Sequence, residues 1–259
     1  MADNLVQIRA IGEHAAILEI DNPPANALGR EARSQLLSHL DRLEADHNLR
    51  ALVLTGKGRA FCSGDDLKEQ EAAQNGGIAA RAAQLGEFAS VLARIEGFRA
   101  PVIAAINGFC IGGGLELALC CDIRMASTEA SFTCAAVNIG LIASAWRLPR
   151  LIGQGAAKHM LLSGLPFDAA AAGKFGLVTA VHAPSELTIA AAALAERIAS
   201  RAPLSVEATK RVASRAIDLN AEDGARMMND EVTKLVQSAD HADALAAFRE
   251  KRAPKFTRS

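Results

Sequence analysis

Pro101-Val102-Ile103-Ala104-Ala105-Ile106-Asn107-Gly108-Phe109-Cys110-Ile111-Gly112-Gly113-Gly114-Leu115-Glu116-Leu117-Ala118-Leu119-Cys120-Cys121-Asp122 passes from an apolar run through three consecutive glycines into helical apolar spacing. It reads as a buried strand, a glycine loop and a helix that takes up its spacing from Leu115. Glycines at such a junction let the backbone turn tightly and approach a ligand. The unpaired amides of the first helical turn add a partial positive charge that can hold a developing oxyanion. Glu116 lies in that first turn, where the dipole favours the ionised, proton-accepting form. The same glycine run could instead serve tight packing or cradle a phosphate. Its contiguous glycines do not match the spaced dinucleotide pattern, and no Lys-Ser/Thr pair follows for a phosphate loop.

Upstream, Ala51 to Gly56 is a second buried strand, and Lys57 to Leu67 is the loop leaving it. In open α/β arrangements ligands collect at loops of this kind, so the two loops are expected to converge. Val6 to Ile20 reads as a hairpin, and Arg30 to Ala45 as an amphipathic helix carrying Leu36, Leu37, Leu40 and Leu43. Residues 68–80 look mobile or loosely helical, and Arg81 to Ile95 helical. Downstream, Asp122 to Ala126, Ser131 to Thr133 and Leu177 to His182 are strand candidates, and Ile139 to Gly153 reads as irregular. From Ser185 the pattern is helical throughout. This shift divides the chain into a core of residues 1–200 and a helical segment of residues 201–259. The tail from Lys251 is basic and expected to fray.

The 259 residues carry 28 Lys and Arg against 29 Asp and Glu, a net charge of −1, which argues against a general nucleic-acid binder. No apolar stretch reaches membrane-spanning length, and Met1-Ala2-Asp3-Asn4 lacks the start of a secretory signal, so a cytoplasmic protein without a membrane partner is expected. Five cysteines without Cys-x-x-Cys spacing argue against a disulfide framework and against a metal site. There is no tyrosine, which removes that residue as a catalytic acid, and Trp146 is the single tryptophan.

The runs Ala51 to Gly56, Phe61-Cys62-Ser63-Gly64-Asp65-Asp66-Leu67, Pro101 to Gly108, Gly112 to Ala118 and Cys121 to Arg124 together resemble the enoyl-CoA hydratase (crotonase) superfamily. The match continues through Gly176-Leu177-Val178 and Ala247 to Phe256, over nearly the whole chain. The resemblance implies an α/β fold, a crotonase-like spiral of β-β-α repeats with a C-terminal helical trimerisation segment, assembled as a homotrimer or a dimer of trimers. It implies an acyl-CoA thioester substrate, with coenzyme A as part of that substrate and no separate cofactor. By position, the backbone amides of Asp65 and Gly113 would hold the thioester oxygen and Glu116 would be the catalytic carboxylate. The segment Phe61, Ser63, Gly64, Asp66 and Leu67, with Gly112, Ala136 and Trp146, would contact the substrate, and Lys251 and Lys255 would meet the coenzyme phosphates.

Two departures stand out. The second family glutamate falls twenty positions after Glu116, where this chain has Ala136. The usual Pro-Gly-x-Gly-Gly-Thr-x-Arg-Leu run is replaced by Ala143-Ser144-Ala145-Trp146-Arg147-Leu148, about three residues shorter. Loss of a positioned acid or base costs roughly 10²–10⁴ in rate. Hydration through Glu116 therefore stands beside isomerisation, decarboxylation, thioester hydrolysis and non-catalytic acyl-CoA binding. The Asp65 side chain is expected to point to solvent or cap a turn, Asp66 to accept a structural hydrogen bond, Trp146 to pack in the core or pocket wall, and Asn138 and Ser144 to bond within loops.

Overall fold

The computed structural model describes residues 4–259, the Gln74 side chain excepted. The chain opens with the antiparallel pair β1 (Val6–Ile11) and β2 (Ala15–Ile20), as the hairpin pattern requires. After α1 (Arg30–Ala45) it enters a repeating path. A long strand is followed by a three-residue strand and then a helix: β3 (Ala51–Gly56), β4 (Ala60–Cys62), α2 (Leu67–Asn75) and α3 (Gly77–Glu96). The second turn is β5 (Val102–Ile106), β6 (Phe109–Ile111) and α4 (Gly113–Cys120). The third is β7 (Ile123–Ser127) and β8 (Ser131–Thr133), with a 3-10 turn over Ala135–Ile139 and then α5 (Arg147–Ile152) and α6 (Gln154–Ser163). After β9 (Pro166–Asp168), α7 (Ala169–Phe175) and β10 (Ala180–His182), the chain is helical. It ends in α8 (Pro184–Ala199), α9 (Pro203–Arg215), α10 (Ala221–Leu235) and α11 (Ala239–Glu250).

The long strands form one sheet in the order β1-β2-β3-β5-β7-β10, parallel from β2 onward. The short strands form a second sheet, β4-β6-β8-β9, in which only β8 and β9 are antiparallel. β3 is buried along its whole length, because alternate side chains enter two cores. Leu52 and Leu54 join the main core, whereas Ala51 and Val53 meet Leu187, Ala191, Ala195 and Ala199 of α8. Those four residues recur every fourth position, and the three alanines let the helix lie close to the sheet.

Several sequence expectations are corrected. Residues 68–80, read as mobile or loosely helical, are helix on both sides of a turn at Gly76, α3 begins four residues before Arg81, and the stretch read as irregular ends in α5. The last strand is only Ala180–His182. The basic tail is anchored by two buried carboxylates. Asp240 accepts hydrogen bonds from the amides of Thr257 and Arg258, and Glu207 on α9 pairs with the Arg258 guanidinium. Fraying would leave both carboxylates without these partners.

Candidate active site

The two glycine loops meet. Gly64 follows β4 with φ +93°, and a Cβ placed on it would stand 2.7 Å from the amide nitrogen of Gly113. A Cβ on Gly113 would stand 3.0 Å from the Gly64 Cα and 2.6 Å from Cζ of Phe88, and one on Gly114 would clash with the Cys62 carbonyl. Only glycines allow the β4 loop and the start of α4 to touch in this way. Gly112 caps the helix at φ +53°; its amide bonds the Thr133 carbonyl and its carbonyl accepts the Glu116 amide. The amides of Asp65 and Gly113 find no acceptor among the described residues. Gly113 is the first residue of α4, so its N–H has no partner within the helix.

Glu116 is buried in the first turn of α4. Its Oε2 accepts a hydrogen bond from Nη1 of Arg147 at 3.1 Å, while its Oε1 is buried with no hydrogen-bond partner among the described residues. Arg147 opens α5 and also holds Glu96, the last residue of α3, through Nε at 3.1 Å and Nη2 at 2.9 Å. These contacts raise the guanidinium pKa, with the Glu96 hydrogen bond as the largest cause. Sequence reasoning had left Arg147 out of the site. Its partners lie 31 and 51 positions away, and the available signal was that Arg147-Leu148 repeats the Arg-Leu pair with which the usual run ends.

The Asp65 side chain is only 9% exposed and turns toward Arg33, which corrects the expectation that it points to solvent. Its Oδ1 lies 2.8 Å from Nη1 of Arg33 on α1, a guanidinium 3% exposed that also pairs with Glu69 of α2 and Glu87 of α3. Gln84 donates to Asp65 Oδ2 at 3.1 Å and the Asp66 amide donates to Oδ1. Burial pushes the Asp65 carboxyl upward and Arg33 pulls it back, and the net direction is up. A buried guanidinium needs carboxylate partners, so the residue that follows Gly64 is tied to three helices.

The remaining expected contacts divide. Asp66 accepts the amides of Lys68 and Glu69, a structural cap at the start of α2. Ser63 is half-buried and donates its amide to Ala25, and Leu67 is exposed. Phe61 is fully buried in the main core, so its ring packs there. Ala136 lies half-buried in the 3-10 turn. Asn138 bonds the Gly164 carbonyl, and the Ser144 carbonyl accepts the Leu148 amide. Trp146 is exposed and carries Arg150 over its ring at 4.6 Å. Trp146 and Arg147 line a cavity of about 880 Å³ with Leu119, Cys120, Arg201 and Lys210, which Asp65, Gly113 and Glu116 do not reach. Lys251 and Lys255 are exposed on the tail.

A buried carboxylate and two amides without an acceptor among the described residues gather at one glycine contact. Residues 11–259 match the enoyl-CoA hydratase/isomerase family. The chain belongs to that family. It is 38% identical over 251 residues to an (E)-benzylidenesuccinyl-CoA hydratase of Thauera aromatica, covering 95% of this chain and 96% of that one. It is 34% identical to a short-chain-enoyl-CoA hydratase of Clostridium acetobutylicum, with 92% of each covered. The crystal structure of an enoyl-CoA hydratase from Bacillus anthracis superposes with a TM-score of 0.93 at 32% identity, covering 98% of this chain and all of that one. The crotonase-type spiral with a helical C-terminal segment is thus the fold of this chain.

Proposed function

We propose that this chain is an enoyl-CoA hydratase-type enzyme that adds water to, or removes it from, an acyl-CoA thioester with Glu116 as its one catalytic carboxylate. The observation that carries this reading is the buried, unpartnered Oε1 of Glu116, one helical turn from the free amide of Gly113. In the hydration direction Glu116 accepts a proton from water as the water oxygen bonds to C3. The C2–C3 π pair shifts toward C1 as the carbonyl pair moves onto the thioester oxygen, forming an enolate, and the enolate takes at C2 the proton that Glu116 accepted, which returns the carboxylate. The Asp65 and Gly113 amides hold the oxygen where that charge forms, each worth about 2.7–4 kcal/mol of transition-state stabilisation. Coenzyme A enters as part of the substrate along Ser63 to Leu67, with Lys251 and Lys255 toward its phosphates, and the protein works in the cytoplasm as a trimer or a dimer of trimers.

Ala136, in place of a second carboxylate, favours a second reading: a one-base proton shift that moves the double bond without adding water. Mass spectrometry of a panel of enoyl-CoA thioesters incubated with the protein in deuterium oxide separates the two. Water addition is the expected result. Deuterium uptake at carbon without it selects the isomerase reading, and no reaction across the panel leaves neither standing.

A further inference from the structure

Arg147 has no part in the chemistry above, yet it touches the one carboxylate that does. Its fork is set by Glu96, whose two oxygens receive Nε and Nη2, and this fixes the plane in which Nη1 reaches Glu116. We propose that Arg147 is a positioning residue for the lone catalytic carboxylate: it engages Oε2 alone, leaves Oε1 as the working oxygen, and places a cation against the carboxylate. The inference rests on Glu116 acting as the base.

The physical need is specific to this site. A carboxylate withdrawn from water is driven toward its neutral form, which cannot accept a proton, unless an opposite charge stands within about 4–6 Å. The elements packed on α4 are α3, α5, β4 and β6. They bring Glu96 and Arg147 as charged neighbours, together with the Cys62 and Cys110 thiols. Cys120 of α4 itself and Cys134 also lie near enough to sense Glu116. Burial pushes all four thiols up, Cys134 to about 11 and Cys62 to about 12, so none is charged at neutral pH. Among these groups Arg147 is the one cation.

The test is the pH dependence of kcat/KM on an acyl-CoA that the wild type turns over, measured for Arg147→Gln, Arg147→Lys and Glu96→Gln, with melting curves to confirm folding. For Arg147→Gln the acid limb should move up by about one pH unit or more, and kcat should fall about tenfold or more with a smaller change in KM. Arg147→Lys should restore the acid limb toward wild type without restoring kcat, because a single ammonium supplies the charge but not the fork. Glu96→Gln should lower kcat with the acid limb unmoved or shifted down. A folded Arg147→Gln variant with an unmoved acid limb overturns the proposal. Should that variant not fold, wild-type kcat in Glu96→Gln overturns it instead. Turnover surviving in Glu116→Gln would remove the base itself, a separate failure from either.

Discussion

At the scale of single residues, the site depends on what is missing from side chains as much as on what is present. Gly64 packs so closely on the Gly113 amide that a methyl group there must displace it, and its positive φ adds strain. Gly64→Ala should therefore lower kcat/KM by about 100-fold through loss of an aligned oxyanion donor, measurable in steady-state kinetics. The glycine run and Glu116 were legible in the sequence because they are contiguous and sit at one strand-to-helix junction. Arg147 and the Asp65 side chain were not. Each is defined by an ion pair to a residue about thirty positions away, and nothing local in the sequence announces such a partner. For Asp65 the local cues favoured an exposed turn carboxylate, and the buried Arg33 overrode them.

At the scale of elements, Arg33 joins α1, α2 and α3 to the loop that carries the Asp65 amide. Removing it would leave Asp65 and Glu69 without a guanidinium partner and Glu87 with only the exposed Arg30, 3.7 Å away. Arg33→Met should destabilise the fold by about 3 kcal/mol, read from denaturant unfolding, and should speed hydrogen exchange at the Leu28 amide that bonds Gly64. Long strands such as β3 could be read from their unbroken apolar runs. β4, β6 and β9 were not read, although the equally short β8 was: β4 and β6 lie inside stretches read as loops, and three residues hold little of a period-two pattern to set against that. α2 was obscured in a similar way, because it shows little of the apolar stripe that marked α1.

At the scale of the whole molecule, the chain end returns to the core through Glu207. Burial alone would raise that carboxyl, but hydrogen bonds from Arg258 and Arg99 outweigh it and hold the group below its ordinary value of 4.5. A depressed carboxylate stabilises the folded state above its ordinary value and loses that contribution as pH falls through the lowered one. Asp65, raised by burial, acts in the opposite sense. On acidification below about 4.5 the tail should therefore loosen before the loop that carries Gly64 and Asp65. Hydrogen exchange should show the Thr257 and Arg258 amides opening while Leu28 stays protected, and Glu207→Gln should release the tail at neutral pH. The central claim remains that Glu116 is the proton-handling group of an acyl-CoA enzyme. Its most direct test is the rate of deuterium incorporation at C2 of the 3-hydroxyacyl-CoA product, followed by NMR in wild type and in Glu116→Gln. Wild-type exchange slowed by roughly 10²–10⁴ in the variant, with binding retained, is the expected result. Equal rates in the two proteins would contradict it.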